Sequence, residues 1–153
     1  MARAFVTGSS TGLGLMAAQL LLELGHRVVV HGRTQARADV ALAAAPRADA
    51  AVIGDLSKIG DMRSVAEQVN KLGEFDAVIH NAGIGYRESR RTETEDRLPA
   101  LFATNTLAPY VLTARCAART FPTCWPPSST SRCSGWRTTA RGIGCSKRSA
   151  SSG

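Results

Sequence analysis

Near its start the chain contains the stretch TGSSTGLG, in which three glycines fall between an apolar run and a segment with helical periodicity. Glycine has no Cβ, so such a turn lets an anion approach the backbone, and the N–H groups and dipole of a following helix favour a phosphate there. The hydroxyls of residues 9–11 would add donors. The stretch predicts a phosphate-binding loop, the alternative being a glycine-rich turn without a ligand. Its residues are Thr7, Gly8, Ser9, Ser10, Thr11, Gly12, Leu13 and Gly14.

A second feature suited to an anion follows the next apolar run, in VVVHGRT at residues 28–34. This segment carries no carboxylate, and the Arg33 guanidinium matches a phosphate in charge and in geometry. The alternative is that Arg33 is a solvated surface charge. His31 either adds to the same pocket or has no role in it.

The elements that must position these residues can be predicted from periodicity. Each of four short apolar runs is typical of a strand buried on both faces, at residues 3–7, 27–31, 49–54 and 75–80. Helical patterns cover residues 13–24, 35–45, 61–72 and 96–115, the last with a kink or break at Pro109. The predicted core face of the first helix comprises Leu13, Met16, Ala17, Leu20, Leu21 and Leu24. Strands alternating with helices predict an α/β fold, a doubly wound, Rossmann-like parallel sheet that is incomplete, with four recognisable strands.

The final segment, residues 116–153, has a different composition. Residues 1–115 hold 13 of the 19 Lys and Arg residues and all 12 Asp and Glu residues, so most of the net charge of +7 belongs to the tail. The tail contains all four cysteines, at spacings that match neither a zinc site nor a disulfide framework, so no metal is predicted. Its Ser-rich and Arg-rich composition favours either a disordered segment or the translation of GC-rich DNA out of frame. No signal peptide or membrane span is predicted, and a cytoplasmic protein is expected.

Four motifs in order make the chain resemble the short-chain dehydrogenase/reductase family. The family pattern T-G-x-x-x-G-x-G matches residues 7–14, an Asp-Leu pair follows the third strand, an Asn-Ala-Gly follows the fourth, and an asparagine before a proline lies in the last helix. The resemblance covers residues 3 to about 115 and makes them a dinucleotide-binding half. The residues of the last three motifs are Asp55, Leu56, Asn81, Ala82, Gly83, Asn105 and Pro109.

The resemblance implies a role for each motif. In the family Asp55 would accept a hydrogen bond from the adenine amine, Leu56 would hold the neighbouring backbone, and residues 81–83 would lie against the adenosine ribose. The alternatives are a helix N-cap for Asp55 and an ordinary turn at the strand end for residues 81–83. The family's usual first asparagine is replaced by His80, which we expect to pack at the strand end. Arg33, with no acidic residue nearby, favours NADP(H) over NAD.

The family transfers hydride between a nicotinamide and a carbonyl or alcohol, which implies a small-molecule substrate and an oxidoreductase. It uses a Tyr-x-x-x-Lys pair, a serine and an asparagine, and only the asparagine can be assigned here, to Asn105, with a polar helix residue as its alternative. Both tyrosines, Tyr86 and Tyr110, precede the expected position, and Lys147 has Ile143 four residues before it. We therefore expect this chain to be inactive as written. No serine among residues 128–134 can be singled out.

Two further expectations concern partners. The family's dimers and tetramers imply a homo-oligomer, with the helix around Asn105 contributing to a dimer contact. A second hypothesis is a non-catalytic nucleotide-binding or regulatory protein whose basic tail contacts acidic partners. Nucleic acid is a poor candidate for such a partner, because the isolated aromatic residues of the tail form no stacking platform.

Overall fold

The computed structural model describes residues 1–85 and 92–116, and these contain a sheet of four parallel strands. The strands are β1 (Arg3–Val6), β2 (Arg27–Gly32), β3 (Ala50–Ile53) and β4 (Ala77–Ile79). Their order across the sheet is β3-β2-β1-β4, and the register aligns Phe5 with both Val29 and Val78. The predicted α/β class with a parallel sheet is confirmed. Each strand end lies within one or two residues of the apolar run that predicted it.

Helices cover both faces of this sheet. They are α1 (Gly12–Glu23), α2 (Gln35–Ala44), α3 (Ile59–Lys71), α4 (Ala100–Phe102), a π-helical segment (Ala103–Leu107) and α5 (Ala108–Arg115). Alternate residues of a strand point to opposite faces. Accordingly Val28 and Val30 pack with residues of α1 and α2, whereas Val29 packs with residues of α3 and α5. The doubly wound arrangement places the carboxyl ends of all four strands at one edge, where the loops meet.

The predicted core face of α1 is wrong. Leu13, Met16, Leu20 and Leu24 are 77%, 63%, 55% and 65% exposed, whereas the buried residues of α1 are Gly14, Ala18 and Leu22. Small residues at 14 and 18 let the helix backbone approach the sheet closely, which the larger side chains would prevent. Of the six residues predicted for the core face, Leu21 packs against the core and Ala17 is partly buried, whereas the other four point outward.

The last predicted helix begins four residues later than expected. Arg97 has φ of 58°, in the left-handed region that a helix cannot contain, and Pro99 stands directly before α4. The carboxylate of Asp96 instead accepts a hydrogen bond of 2.8 Å from the backbone N–H of Ile59, at the start of α3. The predicted break at Pro109 takes a specific form, because the π-helical segment ends two residues before the proline, whose ring cannot donate a backbone hydrogen bond.

The opposite edge of the sheet is closed by Arg3. Its guanidinium forms an ion pair of 3.1 Å with Asp49, donates to the carbonyl of Leu72 and lies 4.7 Å from the centroid of the Phe75 ring. Its side chain is only 16% exposed. Because its partners precede β3 and β4 in the chain, these contacts join β1 to the starts of both strands. The network is structural, since it lies at the amino ends of the strands.

The end of the described region belongs to the core. Cys116, which composition grouped with the tail, is buried in the same cluster as Val69 and Leu112. Burial raises the pKa of its thiol to about 11, so the thiol stays protonated at neutral pH. Tyr86, the serines at 128–134 and Lys147 lie outside the described residues. Within residues 1–85 and 92–116, no helix combines the length and apolar character needed to cross a bilayer.

Candidate functional site

The glycine loop connects β1 to α1 at the carboxyl edge of the sheet. Gly8 has φ of +62°, and a Cβ on it would lie 2.9 Å from Cα of Ala82, so the position requires glycine for both its conformation and its surroundings. Thr11 is the N-cap of α1, and its side chain makes no capping hydrogen bond. The first backbone N–H groups of α1 therefore have no acceptor within the helix and face the loop.

Thr7 joins the glycine loop to the turn after β4. Its side chain is buried, and its hydroxyl accepts from the backbone N–H groups of Asn81 and Ala82 at 3.0 and 3.1 Å while donating to the carbonyl of Ile79 at 3.3 Å. The amide of Asn81 in turn donates to the carbonyls of Thr7 and Gly8, both at 3.1 Å. Thr7 and Asn81 thus fix the two loops against each other rather than presenting side chains to a ligand.

Ser9 is also used inside the fold. Its fully buried hydroxyl donates to the carbonyl of Val6 at 2.9 Å and accepts from the backbone N–H of His31 at 2.7 Å. The predicted role of this hydroxyl as a donor to phosphate would require it to give up its bond to Val6. Of the three hydroxyl residues at 9–11, only Ser10 and Thr11 line the cavity described next.

A cavity of about 600 Å³ lies at this edge of the sheet, within the size range of ligand sites. The residues predicted from the sequence that line it are Gly8, Ser10, Thr11, Arg33, Asp55, Leu56, Asn81, Ala82 and Gly83. Those that line it without having been predicted as site residues are Arg37, Ser57, Ile84, Thr92, Ala100 and Thr104. His31, whose part in this pocket the sequence left open, lines it as well. The predicted residues outside its lining are Thr7, Ser9, Gly12, Leu13, Gly14 and Asn105.

Asp55 shapes the wall of the cavity beyond β3. Its carboxylate accepts from both the backbone N–H and the hydroxyl of Ser57, at 3.0 and 2.8 Å, and its own N–H donates to Asp61 at 2.8 Å. The alternative role as N-cap does not apply, because α3 begins at Ile59 with Lys58 in the cap position. Asp55 therefore closes a tight turn through Oδ1 and also lines the cavity.

Two arginines give the cavity wall beyond β2 its positive charge. Arg33 follows β2 directly, and Arg37 stands one helical turn later in α2, where its backbone N–H donates to the hydroxyl of Thr34, the N-cap. Both side chains are exposed and line the cavity. Arg37 was missed because only the strand end was considered. The available signal was a second arginine in the first turn of the predicted helix 35–45, four residues after Arg33 along the chain.

Asn105 lies in the π-helical segment and binds the loop after β4. Its Oδ1 accepts from the N–H of Ile84 at 2.9 Å, and its Nδ2 donates to the carbonyl of the same residue at 2.8 Å. The amide therefore holds the backbone that follows Gly83. His80 lies directly after β4, where its Nε2 contacts the hydroxyl of Thr113 at 2.9 Å, and partial desolvation lowers the pKa of the imidazole.

The chain is similar to known oxidoreductases over most of its length. The family model for short chain dehydrogenase matches residues 2–121, a few residues beyond the last motif. An uncharacterized oxidoreductase of Emericella nidulans is 54% identical over 114 residues, which cover 74% of this chain and 45% of that protein. A short-chain dehydrogenase of Penicillium rubens is 41% identical over 112 residues, covering 73% of this chain and 43% of that protein. The chain thus spans less than half the length of these relatives.

Two solved structures that share the fold are complexes with a nicotinamide cofactor. The RhlG/NADP complex of Pseudomonas aeruginosa has a TM-score of 0.62 and 29% identity, covering 74% of this chain and 46% of that one. A short-chain dehydrogenase from Sphingobium yanoikuyae in complex with NADPH has a TM-score of 0.63 and 25% identity, covering 75% and 46%. With the motifs, the sheet order and the family match in agreement, the chain belongs to the short-chain dehydrogenase/reductase family.

Proposed function

We propose that residues 1–115 bind NADP(H) in the cavity at the carboxyl edge of the sheet, as part of an oxidoreductase acting on a small carbonyl or alcohol. The observation that carries the proposal is the convergence on one cavity of the glycine loop, the Asp55 turn, residues 81–83 and the two arginines. No other described feature brings these chemistries together. A cytoplasmic location and a homo-oligomer stay predictions.

The residues present fit a dinucleotide phosphate. The N–H groups at the start of α1, which have no acceptor in the helix, suit a pyrophosphate, and Gly8 and Thr11 beside them line the cavity. Asp55 would accept from the adenine amine and Leu56 would pack beside the ring, while Ala82 and Gly83 would bound the adenosine ribose. When bound, the nicotinamide supplies or accepts the hydride.

The choice of NADP(H) over NAD(H) rests on charge at the end of β2. Arg33 and Arg37 line the cavity there, and the strand is followed by no carboxylate that would repel a phosphate on the ribose 2′ oxygen. The NADP and NADPH complexes of the two structural relatives support the same choice.

The Arg33→Glu variant should weaken NADPH binding by about 10- to 100-fold, because it removes a charge-assisted hydrogen bond to the phosphate and adds repulsion. Binding of NADH should change by less than about threefold, since NADH lacks that phosphate. Both dissociation constants can be measured by titrating cofactor fluorescence. The matched control is Arg63→Glu, the same change of charge at an exposed position of α3 outside the cavity lining. Equal losses for NADPH and NADH would contradict the assignment.

The sequence supplies no Tyr-x-x-x-Lys pair to move the proton that accompanies hydride transfer. Tyr110 is 69% exposed on α5 and is absent from the cavity lining, so it offers no substitute. Asn105 holds the backbone at Ile84 and would position the region where a substrate oxygen lies, without itself being an acid or a base.

The 153-residue chain should therefore bind NADPH without oxidising it. Incubation with a panel of ketones and aldehydes should leave NADPH absorbance at 340 nm at the rate seen without protein, while fluorescence titration of the same preparation shows saturable binding. Oxidation of NADPH that depends on both the chain and the carbonyl compound would contradict this expectation and require an acid–base group elsewhere in the sequence.

A further inference from the structure

The His31 side chain lines the cavity and is held by hydrogen bonds at both of its ring nitrogens. It lies on β2 with 3% of its surface exposed, and both of its ring nitrogens have backbone partners. Nδ1 lies 3.0 Å from the backbone nitrogen of Gly8, and Nε2 lies 3.0 Å from the carbonyl oxygen of Gly54. The imidazole thus spans the glycine loop on one side and the end of β3 on the other.

The partners determine which nitrogen carries the proton. A backbone N–H only donates, so Nδ1 must be the acceptor from Gly8, and a carbonyl only accepts, so Nε2 must carry the hydrogen that is donated to Gly54. The neutral Nε2–H tautomer satisfies both contacts. The imidazolium does not, because its Nδ1–H would point at the N–H of Gly8.

The surroundings of His31 favour the neutral ring. Burial lowers the pKa of the imidazole, an effect opposed in part by the hydrogen bond to Gly54 and by the negative charge of Asp55. From β1 the ring meets Phe5, edge to face at 6.4 Å between centroids, and the backbone N–H of His31 donates to the uncharged Ser9 of the glycine loop. The charged groups that share its cavity are Asp55, Arg33 and Arg37.

We propose that neutral His31 is a positioning residue that latches the glycine loop to the end of β3, and that protonation of His31 releases the loop and weakens cofactor binding. The second half of this inference rests on the proposed NADP(H) site, whereas the first half concerns the protein without cofactor. His31 would touch neither hydride donor nor substrate. It would act through the conformation of Gly8.

The direction of the pH effect follows from the lowered pKa. Since folding depresses the imidazole pKa below its usual 6.5, the unfolded chain takes up the proton first as the pH falls. The stability that the neutral His31 ring gives to the folded state is therefore fully present above about pH 6.5, and it is lost as the pH falls toward the pKa of the ring in the folded state. A pH rise from 7 to 8 should leave it unchanged.

The latch itself can be tested on the full chain without cofactor. In the wild type, nitrogen-15 spectra of the imidazole at pH 7.5 should report the Nε2–H tautomer for His31. The His31→Phe variant removes the acceptor while keeping a ring, and exchange of the Gly8 amide hydrogen should accelerate by about 10-fold or more. In His31→Gln, whose side chain offers one acceptor and one donor, exchange should be slower than in His31→Phe.

The matched control is His26→Phe. The imidazole of His26 also accepts a backbone hydrogen bond, from Ala2 at 3.1 Å, but at the opposite edge of the sheet. Exchange at Gly8 should be unchanged in this variant. A Nδ1–H tautomer in the wild type, or equal Gly8 exchange in the wild type and His31→Phe, would overturn the latch. The tautomer measurement decides the matter even if His31→Phe fails to fold.

The effect on cofactor binding is measured with NADPH between pH 8 and pH 5. Because a phosphate monoester itself titrates near pH 6, the relevant quantity is the ratio of wild-type to His31→Gln dissociation constants. That ratio should rise over the pH range in which nitrogen-15 spectra show the His31 ring of the folded chain taking up its proton, and a ratio that stays constant across that range would overturn the link to binding. If the wild type binds no NADPH at any pH, the proposed function fails, and the exchange and tautomer results still decide the latch.

Discussion

Replacing Gly14 with alanine should destabilise the protein by about 3 kcal/mol or more, because the added Cβ combines overpacking with the loss of hydrogen bonds. A Cβ at this position would collide with the side-chain Nδ2 of Asn81 and with the carbonyl oxygen of Gly8, two atoms that are hydrogen-bonded to each other. Helix propensity alone predicts the opposite sign, since alanine is favoured over glycine inside a helix. The free energy of unfolding from urea titration measures the difference.

The matched control is Gly60→Ala in α3. A Cβ at Gly60 would meet no atom within 4 Å, so the same substitution should there stabilise the protein by about 0.5–1 kcal/mol. Opposite signs at the two positions would identify close approach of α1 to the N-A-G turn as the reason for glycine. A Gly14→Ala variant as stable as the wild type would show that the turn can move aside at little cost.

Replacing Thr7 with valine should cost about 3 kcal/mol of stability, the second largest effect that we expect. Valine keeps the shape but removes the hydroxyl, which leaves the partly buried N–H of Ala82 without its acceptor and that of Asn81 with only the carbonyl of Ile79, at 3.1 Å. The glycine loop and the turn after β4 would then lose their main connection, so NADPH binding should weaken as well. Thermal unfolding and cofactor titration on the same preparation measure the two losses.

Two variants separate the hydroxyl from the rest of the side chain. Thr7→Ser keeps the acceptor and should lose only about 1 kcal/mol for the missing methyl group. Thr113→Val makes the same change at an exposed position, where the hydroxyl has one contact, with His80, and should cost less than about 1 kcal/mol. If Thr7→Ser is as unstable as Thr7→Val, the shape of the pocket rather than the hydrogen bonds is responsible.

The features that the sequence predicted correctly depend on neighbours along the chain. Apolar runs and glycine spacing are local, and they suffice for the four strands, the glycine loop and the family. The face of α1 could not be predicted from apolar count, because a close helix–sheet contact is made by small residues such as Gly14 and Ala18. A pattern of small residues at intervals of four was the missed signal.

The chemistry of individual side chains was harder to predict because it depends on contacts across the fold. The sequence suggests that the hydroxyl of Ser9 is a donor to a ligand, but in the fold this hydroxyl accepts a hydrogen bond from the backbone N–H of His31, 22 residues later in the chain. His31 itself bridges residues 23 positions away in both directions, Gly8 and Gly54. No pattern of neighbouring residues in the sequence predicts hydrogen bonds between groups so far apart in the chain. Arg37, in contrast, was within reach of the sequence, one turn beyond Arg33.

The capping of α3 by Asp96 has a consequence for the order in which the protein is made. Lys58, at the N-cap, makes no side-chain capping hydrogen bond, and the acceptor for the N–H of Ile59 comes from a residue 37 positions later. Ribosomal synthesis therefore produces the whole of α3 well before its cap exists. Until the segment around Asp96 emerges and docks, the first turn of α3 depends on water for its hydrogen bonds, and the cavity wall that Thr92 and Ala100 form is completed only then.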